Sequence, residues 1–148
     1  MDLRAGHVGF IQADPPEALE AVTELRMERG FAFFTLHIAS AQLHALFDTG
    51  AGYSVLNRRC LAEVKGQVED LGYEAASDPT GASARVPLFR AVEACIGKRT
   101  LPPFRFLAID LGPVEELLGV PLDFVFGVEA MAGSEWIVDG RACVLWNG

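Results

Sequence analysis

The stretch "ALFDTGA", Ala45-Leu46-Phe47-Asp48-Thr49-Gly50-Ala51, sets a single carboxylate between an apolar run and a small, flexible turn. An ionised acid at the end of a buried strand is costly unless it is paired, hydrogen-bonded or put to use. Gly50 lets the backbone turn at once and leaves amide N–H groups free to point back at the acid. Thr49 supplies a hydroxyl that can brace the loop. Taken alone the tripeptide also reads as an ordinary turn, so the surrounding pattern has to decide.

Upstream, Phe31–Ile38 is aromatic and β-branched, with Ala32, Phe34, Leu36 and Ile38 on one face and Thr35 and His37 on the other, which predicts a strand. Ala39–Gln42 is a short polar break and Leu43–Phe47 a second apolar run, so the two predict a hairpin that delivers the chain to Asp48. Downstream, Tyr53–Leu56 resumes strand character, and Asn57 is placed to cap a short helix through Val64. Gly66–Ala84 is polar and turn-rich, contains Ser77-Asp78-Pro79-Thr80-Gly81, and predicts an exposed loop or hairpin tip. Val86–Ile96 and Leu101–Leu111 are apolar stretches joined by Gly97-Lys98-Arg99-Thr100, which reads as another hairpin. Pro113–Leu118 suits one helical turn, and Asp123–Gly127 a short buried strand. Trp136–Val138 and Ala142–Trp146 flank the tight-turn pair Asp139-Gly140. Glu17–Arg29, after Pro15-Pro16, carries both a helical and an alternating reading. Many short, closely spaced strands with little helix predict an all-β barrel or sandwich.

Composition bounds the function. A chain of 148 residues forms one domain. Its 51% hydrophobic content and mean hydropathy of +0.26 are rich enough to expect apolar surface buried against a partner. With 20 acidic against 12 basic residues the net charge is −8, which argues against nucleic acid and offers no polybasic segment for a membrane surface. Cys60, Cys95 and Cys143 are widely separated without a C-x-x-C pair, the pattern of free core thiols in a reducing compartment, so the cytoplasm is the expected setting. No apolar run reaches the ~20 residues of a spanning helix, and Met1–Gln12 lacks the apolar region of a signal peptide. His7, His37 and His44 share no ligand spacing, so no metal site is expected. Ser54 lacks a Gly-x-Ser-x-Gly context, Glu115-Glu116 reads as a solvated face, and Trp136 and Trp146 as covers for the core.

The order of strand, turn, apolar strand, DTGA, apolar strand, turn-rich hairpin and a late apolar-apolar-Gly segment resembles the retropepsin-like aspartic proteases. "ALFDTGAGYSVL" (45–56) is similar to their catalytic segment and "DFVFGVEAM" (123–131) to their second segment. The resemblance spans Phe31 to Trp146 and lies closer to bacterial or cellular members than to viral ones. It implies a closed all-β acid-protease barrel with short helical segments, joined as a two-fold dimer. Residues 1–20 would be a lead or extension and 21–148 the protease domain.

The resemblance also implies a chemistry: two aspartates share one proton and hold a water between them, one taking its proton while the other hydrogen-bonds the scissile carbonyl. This chain has a single Asp-Thr/Ser-Gly, because Asp139-Gly140 lacks the middle residue and Asp78-Pro79-Thr80-Gly81 has proline in its place. The second aspartate therefore comes from another copy, and a homodimer with Asp48 from each subunit follows. By the same resemblance Thr49 bonds across the interface, Gly50 and Ala51 line the substrate floor, and Val125, Phe126 and Gly127 pack beneath the loop. Thr80, Gly81, Ala82 and Ser83 are the flap candidates over an extended peptide or protein substrate. No cofactor is implied. Gly52-Tyr53 departs from the acids usual after the triad, Val128 stands where a polar or basic residue is frequent, and Glu129 takes the acid position. The rival expectation is a non-catalytic dimerisation or peptide-binding module with the same fold.

Overall fold

The computed structural model describes residues 20–77, 83–132, 134, 136–139 and 144–147. The chain runs β1 (Glu20–Glu24), β2 (Arg26–Glu28), β3 (Phe31–Ile38), β4 (Ala41–Phe47), β5 (Ser54–Asn57), a 3-10 turn (Arg58–Cys60), α1 (Leu61–Val64) and a second 3-10 turn (Lys65–Gln67). It continues with β6 (Glu69–Ser77), β7 (Ser83–Ala91), β8 (Ala94–Ile96), β9 (Arg99–Thr100), β10 (Phe104–Ile109), α2 (Gly112–Leu118), β11 (Phe124–Phe126), α3 (Val128–Met131), β12 (Trp136–Asp139) and β13 (Val144–Asn147). The expectation of a mostly-β chain with short helices holds.

Local chemistry explains the hairpins. Arg29 and Gly30 both have positive φ, 50° and 86°, and join β2 to β3 through the Glu28↔Phe31 pair, the mirror-image turn whose twist suits a two-residue hairpin. The β3–β4 hairpin turns on Ala39 and Ser40 alone, with Ile38 opposite Ala41. Glu17–Arg29, open in sequence, forms strand over Glu20–Glu24 and Arg26–Glu28, because these residues find partners in β13 and β3.

Nine strands form one continuous path in the order β6-β7-β10-β5-β11-β4-β3-β8-β9, with β2 added on β3, and β1-β13-β12 form a separate three-stranded sheet. The large sheet is a curled half-barrel. The closed barrel expected from the sequence is corrected to a half-barrel: among the described residues the strand path ends at β6 on one side and at the two exposed residues of β9 on the other, with no pairing between them.

The arrangement that matters for function is the insertion of β11 between β4 and β5. It pairs parallel with β4 (Phe126↔Phe47) and antiparallel with β5 (Phe124↔Leu56), so strands consecutive in sequence are separated by one that arrives later. β10 then pairs parallel with β5 and antiparallel with β7.

Both sheet faces are covered. One carries the main core, built on Phe34, Leu36, Phe106, Phe124, Phe126 and Trp136. The other carries Phe33, Leu46 and Val125 under Leu111, Leu118 and Leu122. This double burial is why Phe33, on the face expected to be polar, is fully buried in a strand that reads as nearly continuous apolar sequence.

Several local expectations change. Within Gly66–Ala84, expected to be a loop or hairpin tip, Glu69–Ser77 is a strand: β6 pairs with β7 from Glu69↔Arg90 to Ser77↔Ser83, and cross-strand partners outweigh the polar composition, while residues 78–82 lie outside the described residues. The 86–96 run breaks at Val92-Glu93, leaving β7 to pair with β10 while β8 crosses to β3; the turn at Gly97 joins only β8 to β9. Asn57 makes no side-chain cap; its buried amide donates to the Leu122 carbonyl at 2.9 Å instead. α2 is longer than one turn and ends at Gly119 with φ 67°, the left-handed conformation that suits glycine. Trp136 is fully buried as expected, with Nε1 donating to the Met131 carbonyl at 2.9 Å. Trp146 lies in β13.

Candidate active site

Asp48 leaves the end of β4 directly beside Gly127, which leaves the end of β11, because the parallel register sets Phe47 against Phe126. The Asp48 amide donates to the Phe126 carbonyl at 3.1 Å, continuing the ladder by one bond. The Asp48 side chain is half-buried; its Oδ1 accepts from the Gly50 amide at 2.8 Å, and Oδ2 has no partner among the described residues. The turn thus holds one carboxylate oxygen and presents the other. Thr49 is exposed, and its hydroxyl has no partner among the described residues.

The loop after Asp48 is held by the chain that follows β11. Val128 donates to the Ala51 carbonyl at 2.8 Å and Glu129 to the Gly52 carbonyl at 3.2 Å, while the Gly127 amide donates to Ser54 Oγ at 3.0 Å. A Cβ on Gly127 would lie 2.5 Å from the Tyr53 carbonyl oxygen and 2.7 Å from that of Ala51, so only glycine lets the two segments approach this closely. Phe126 packs edge-on against Phe34 (5.5 Å) and Trp136 (5.8 Å). Val125 is buried on the opposite face, where Ala51 and Val55 pack against its cluster. The structure therefore brings Asp48, Gly50 and Ala51 together with Val125, Phe126 and Gly127. Among the flap candidates, Thr80, Gly81 and Ala82 lie outside the described residues, and Ser83 begins β7.

Further polar residues complete the surroundings. Ser54, dismissed as a nucleophile, is fully buried and serves as the acceptor for Gly127. Arg105 on β10 donates through Nε to Glu129 Oε1 at 2.7 Å, and its guanidinium lies 5.8 Å from the Tyr53 ring centroid. That hydrogen bond, with the charge of Glu129 behind it, raises the Arg105 pKa.

Farther along, Arg59 bridges Glu115 (2.6 Å) and Asp123 (2.7 Å), the His44 amide donates to Asp123 Oδ2 at 2.9 Å, and the Leu122 amide donates to Glu115 at 2.7 Å. Glu115 is accordingly not the solvated face that its sequence suggests. Burial opposes ionisation of Asp123, but the His44 amide and Arg59 together outweigh it and hold its pKa below the ordinary value. Arg59 does the same for Glu115. Burial first, then the Asp123 charge, pushes the Cys60 thiol up to about 11. The network ties the entry to β11 to β4 and α2. The one sequence signal for it was an acid immediately before a short apolar strand.

Among the described residues no group of histidine, cysteine and carboxylate side chains could hold a metal ion, and no helix is long and apolar enough to cross a membrane.

The sequence profile of the family described as aspartyl protease matches residues 34–129, a span that contains both the Asp48 loop and the Gly127 strand. No curated protein sequence matches the chain. Among solved structures, a retropepsin-like aspartic protease from Rickettsia conorii superposes with TM-score 0.60 over 87% of this chain and 91% of that one, at 10% identity. The retroviral protease-like domain of Ddi1 from Leishmania major covers 81% of this chain and 84% of its own at TM-score 0.48 and 15% identity. The first of these likenesses shows a shared retropepsin-like fold.

Proposed function

Because the chain belongs to the aspartyl protease family, we propose that it is an endopeptidase whose catalytic centre forms between two copies, each contributing Asp48. The observation that carries the reading is the presentation of Asp48: one carboxylate oxygen tied to its own turn at Gly50, the other open, on a loop locked by glycine-close packing. One such acid per chain makes half of a dyad. The exposed Thr49 hydroxyl is available to brace the loop of the second copy, with Gly50 and Ala51 as the floor beneath substrate and Val125, Phe126 and Gly127 as its support.

Two carboxyls brought together on a two-fold axis cannot both ionise, so they hold one proton between them. The ionised member takes a proton from a bound water as the water oxygen attacks the carbonyl carbon of the scissile peptide bond. The protonated member hydrogen-bonds, then protonates, the carbonyl oxygen, giving a tetrahedral diol. Proton transfer to the amide nitrogen and collapse of the diol break the C–N bond, releasing one amine and one carboxylic acid for each water consumed. An extended peptide, paired through its main chain as an added strand, is the substrate this geometry suits.

The test compares wild type with Asp48→Asn by solution mass and by cleavage of a mixed peptide library across acidic to neutral pH. The expected result is dimers of both, with cleavage by wild type alone, fastest on the acid side. Asparagine keeps an oxygen for the Gly50 amide, so the fold should survive. Cleavage that persists in Asp48→Asn, or an inactive monomeric wild type, would overturn the proposal.

A further inference from the structure

A charged circuit closes around the loop that carries Asp48, and the chemistry proposed above makes no use of it. Phe106 pairs in parallel with Ser54, which sets Arg105 beside Tyr53. From there the Arg105 guanidinium reaches over the Tyr53 ring at 5.8 Å while Nε donates to Glu129 Oε1 at 2.7 Å. The Glu129 amide donates to the Gly52 carbonyl, which returns the circuit to Tyr53. Arg90, opposite Arg105 on β7, is engaged by Glu69 at 3.3 Å and does not compete for Glu129.

We propose that Arg105 is a positioning residue of the active site, acting through Glu129 to hold the Gly52-Tyr53 backbone, and with it the Asp48 turn, in place. The inference rests on the reading of Asp48 as catalytic. Two facts favour a local over a global role. The side chains of Arg105 and Glu129 are 41% and 29% exposed, a setting in which ion pairs contribute little to overall stability. α3 has only four residues, too few to fix its own orientation by internal hydrogen bonds, yet its first two amides are the ones that grip Ala51 and Gly52. A pair anchoring Glu129 to the long strand β10 supplies the orientation that α3 lacks. Small displacements of a catalytic group lower turnover steeply, so the effect should appear in kcat.

The experiment uses the full chain with Arg105→Ala, Glu129→Gln and the charge swap Arg105→Glu/Glu129→Arg, on a peptide that wild type cleaves. Each single variant should lower kcat about tenfold. KM should stay within about threefold, and Tm within about 3 °C. The swap should recover most of the loss, and added salt should lower the wild-type kcat toward that of Arg105→Ala. Unchanged kcat in the single variants, a rise in KM alone, or no recovery in the swap would each overturn the inference. Amide hydrogen exchange at Val128 and Glu129 keeps the test independent of catalysis. In Arg105→Ala both amides should exchange about tenfold faster, since their acceptors are no longer held. If wild type cleaves nothing, the catalytic reading fails and exchange alone judges the positioning; equal rates then overturn it.

Discussion

Replacing Gly127 with alanine should damage the protein more than any other single methyl group added to the candidate active-site loops. The backbone there is extended, φ −94° and ψ 177°, a conformation open to any residue, so the penalty comes from space and not from strain. The added carbon would sit 2.5 Å from the Tyr53 carbonyl oxygen and 2.7 Å from both the Ala51 oxygen and the Tyr53 carbonyl carbon. All three are backbone atoms that cannot swing aside, and ordinary contact requires the segments to part by about 0.9 Å. That separation stretches the Val128–Ala51 and Glu129–Gly52 hydrogen bonds, now 2.8 and 3.2 Å, beyond useful length. Two weakened backbone bonds at about 1 kcal/mol each, with about 1–2 kcal/mol of overpacking, give a loss of about 3–4 kcal/mol. For a chain of this size that corresponds to a fall in Tm of roughly 6–16 °C. Thermal and urea unfolding at one fixed protomer concentration measure it, with Gly52→Ala as control. Gly52 lies on the same loop, yet a Cβ there meets nothing within 4 Å, so its substitution should be close to neutral. A Gly127→Ala protein melting within 2 °C of wild type, or a Gly52→Ala protein falling as far, would refute the close-approach argument.

Besides the Asp48→Asn and Arg105 tests, two outcomes are expected. Asp123 and Glu115 both titrate below their ordinary values in the folded chain. As pH falls past about 4 the unfolded chain therefore takes up protons first, and the stability these groups contribute at neutral pH drains until the folded groups protonate too. Urea midpoints between pH 6 and 3 should fall steeply for wild type and more gently for Asp123→Asn, which starts about 1–2 kcal/mol lower; parallel curves would exclude the network as the source. With its pKa at about 11 and its side chain buried, Cys60 should resist alkylation at pH 8 while the partly exposed Cys95 reacts, and peptide mass spectrometry reads the order; modification of Cys60 first would contradict the burial.

Much of this molecule was legible one segment at a time. Alternation in 31–38, the short break before 43–47 and the apolar run at 123–127 are local patterns, and they announce strands because a half-buried strand imposes its period directly on the residues. The catalytic candidate was legible for a related reason: an acid, a hydroxyl residue and a glycine must be consecutive to build a turn that hydrogen-bonds its own carboxylate, and Gly50 does bond Asp48. Reading failed where partners lie far along the chain. Glu115 looks solvated because Arg59, its partner, is 56 residues away. Reading failed nearer at hand too: 69–77 looks like a loop because its pairing with the next strand, β7, is invisible in its own polar composition.

By itself the sequence determined most of the central strands, and that one acid sits at the end of one of them, because strand period and turn chemistry are local. Only the tertiary structure decided that β11 slips between β4 and β5 in a register that sets Gly127 against the Asp48 loop. That choice depends on which hydrophobic faces bury each other, Phe126 against Phe34 and Trp136 on one side and Val125 against Leu46 on the other, and no local pattern records such a match. Arg105 shows the same division: in sequence it is one cation in an apolar run, and it became a brace for the loop only when β10 laid it beside Tyr53 and Glu129.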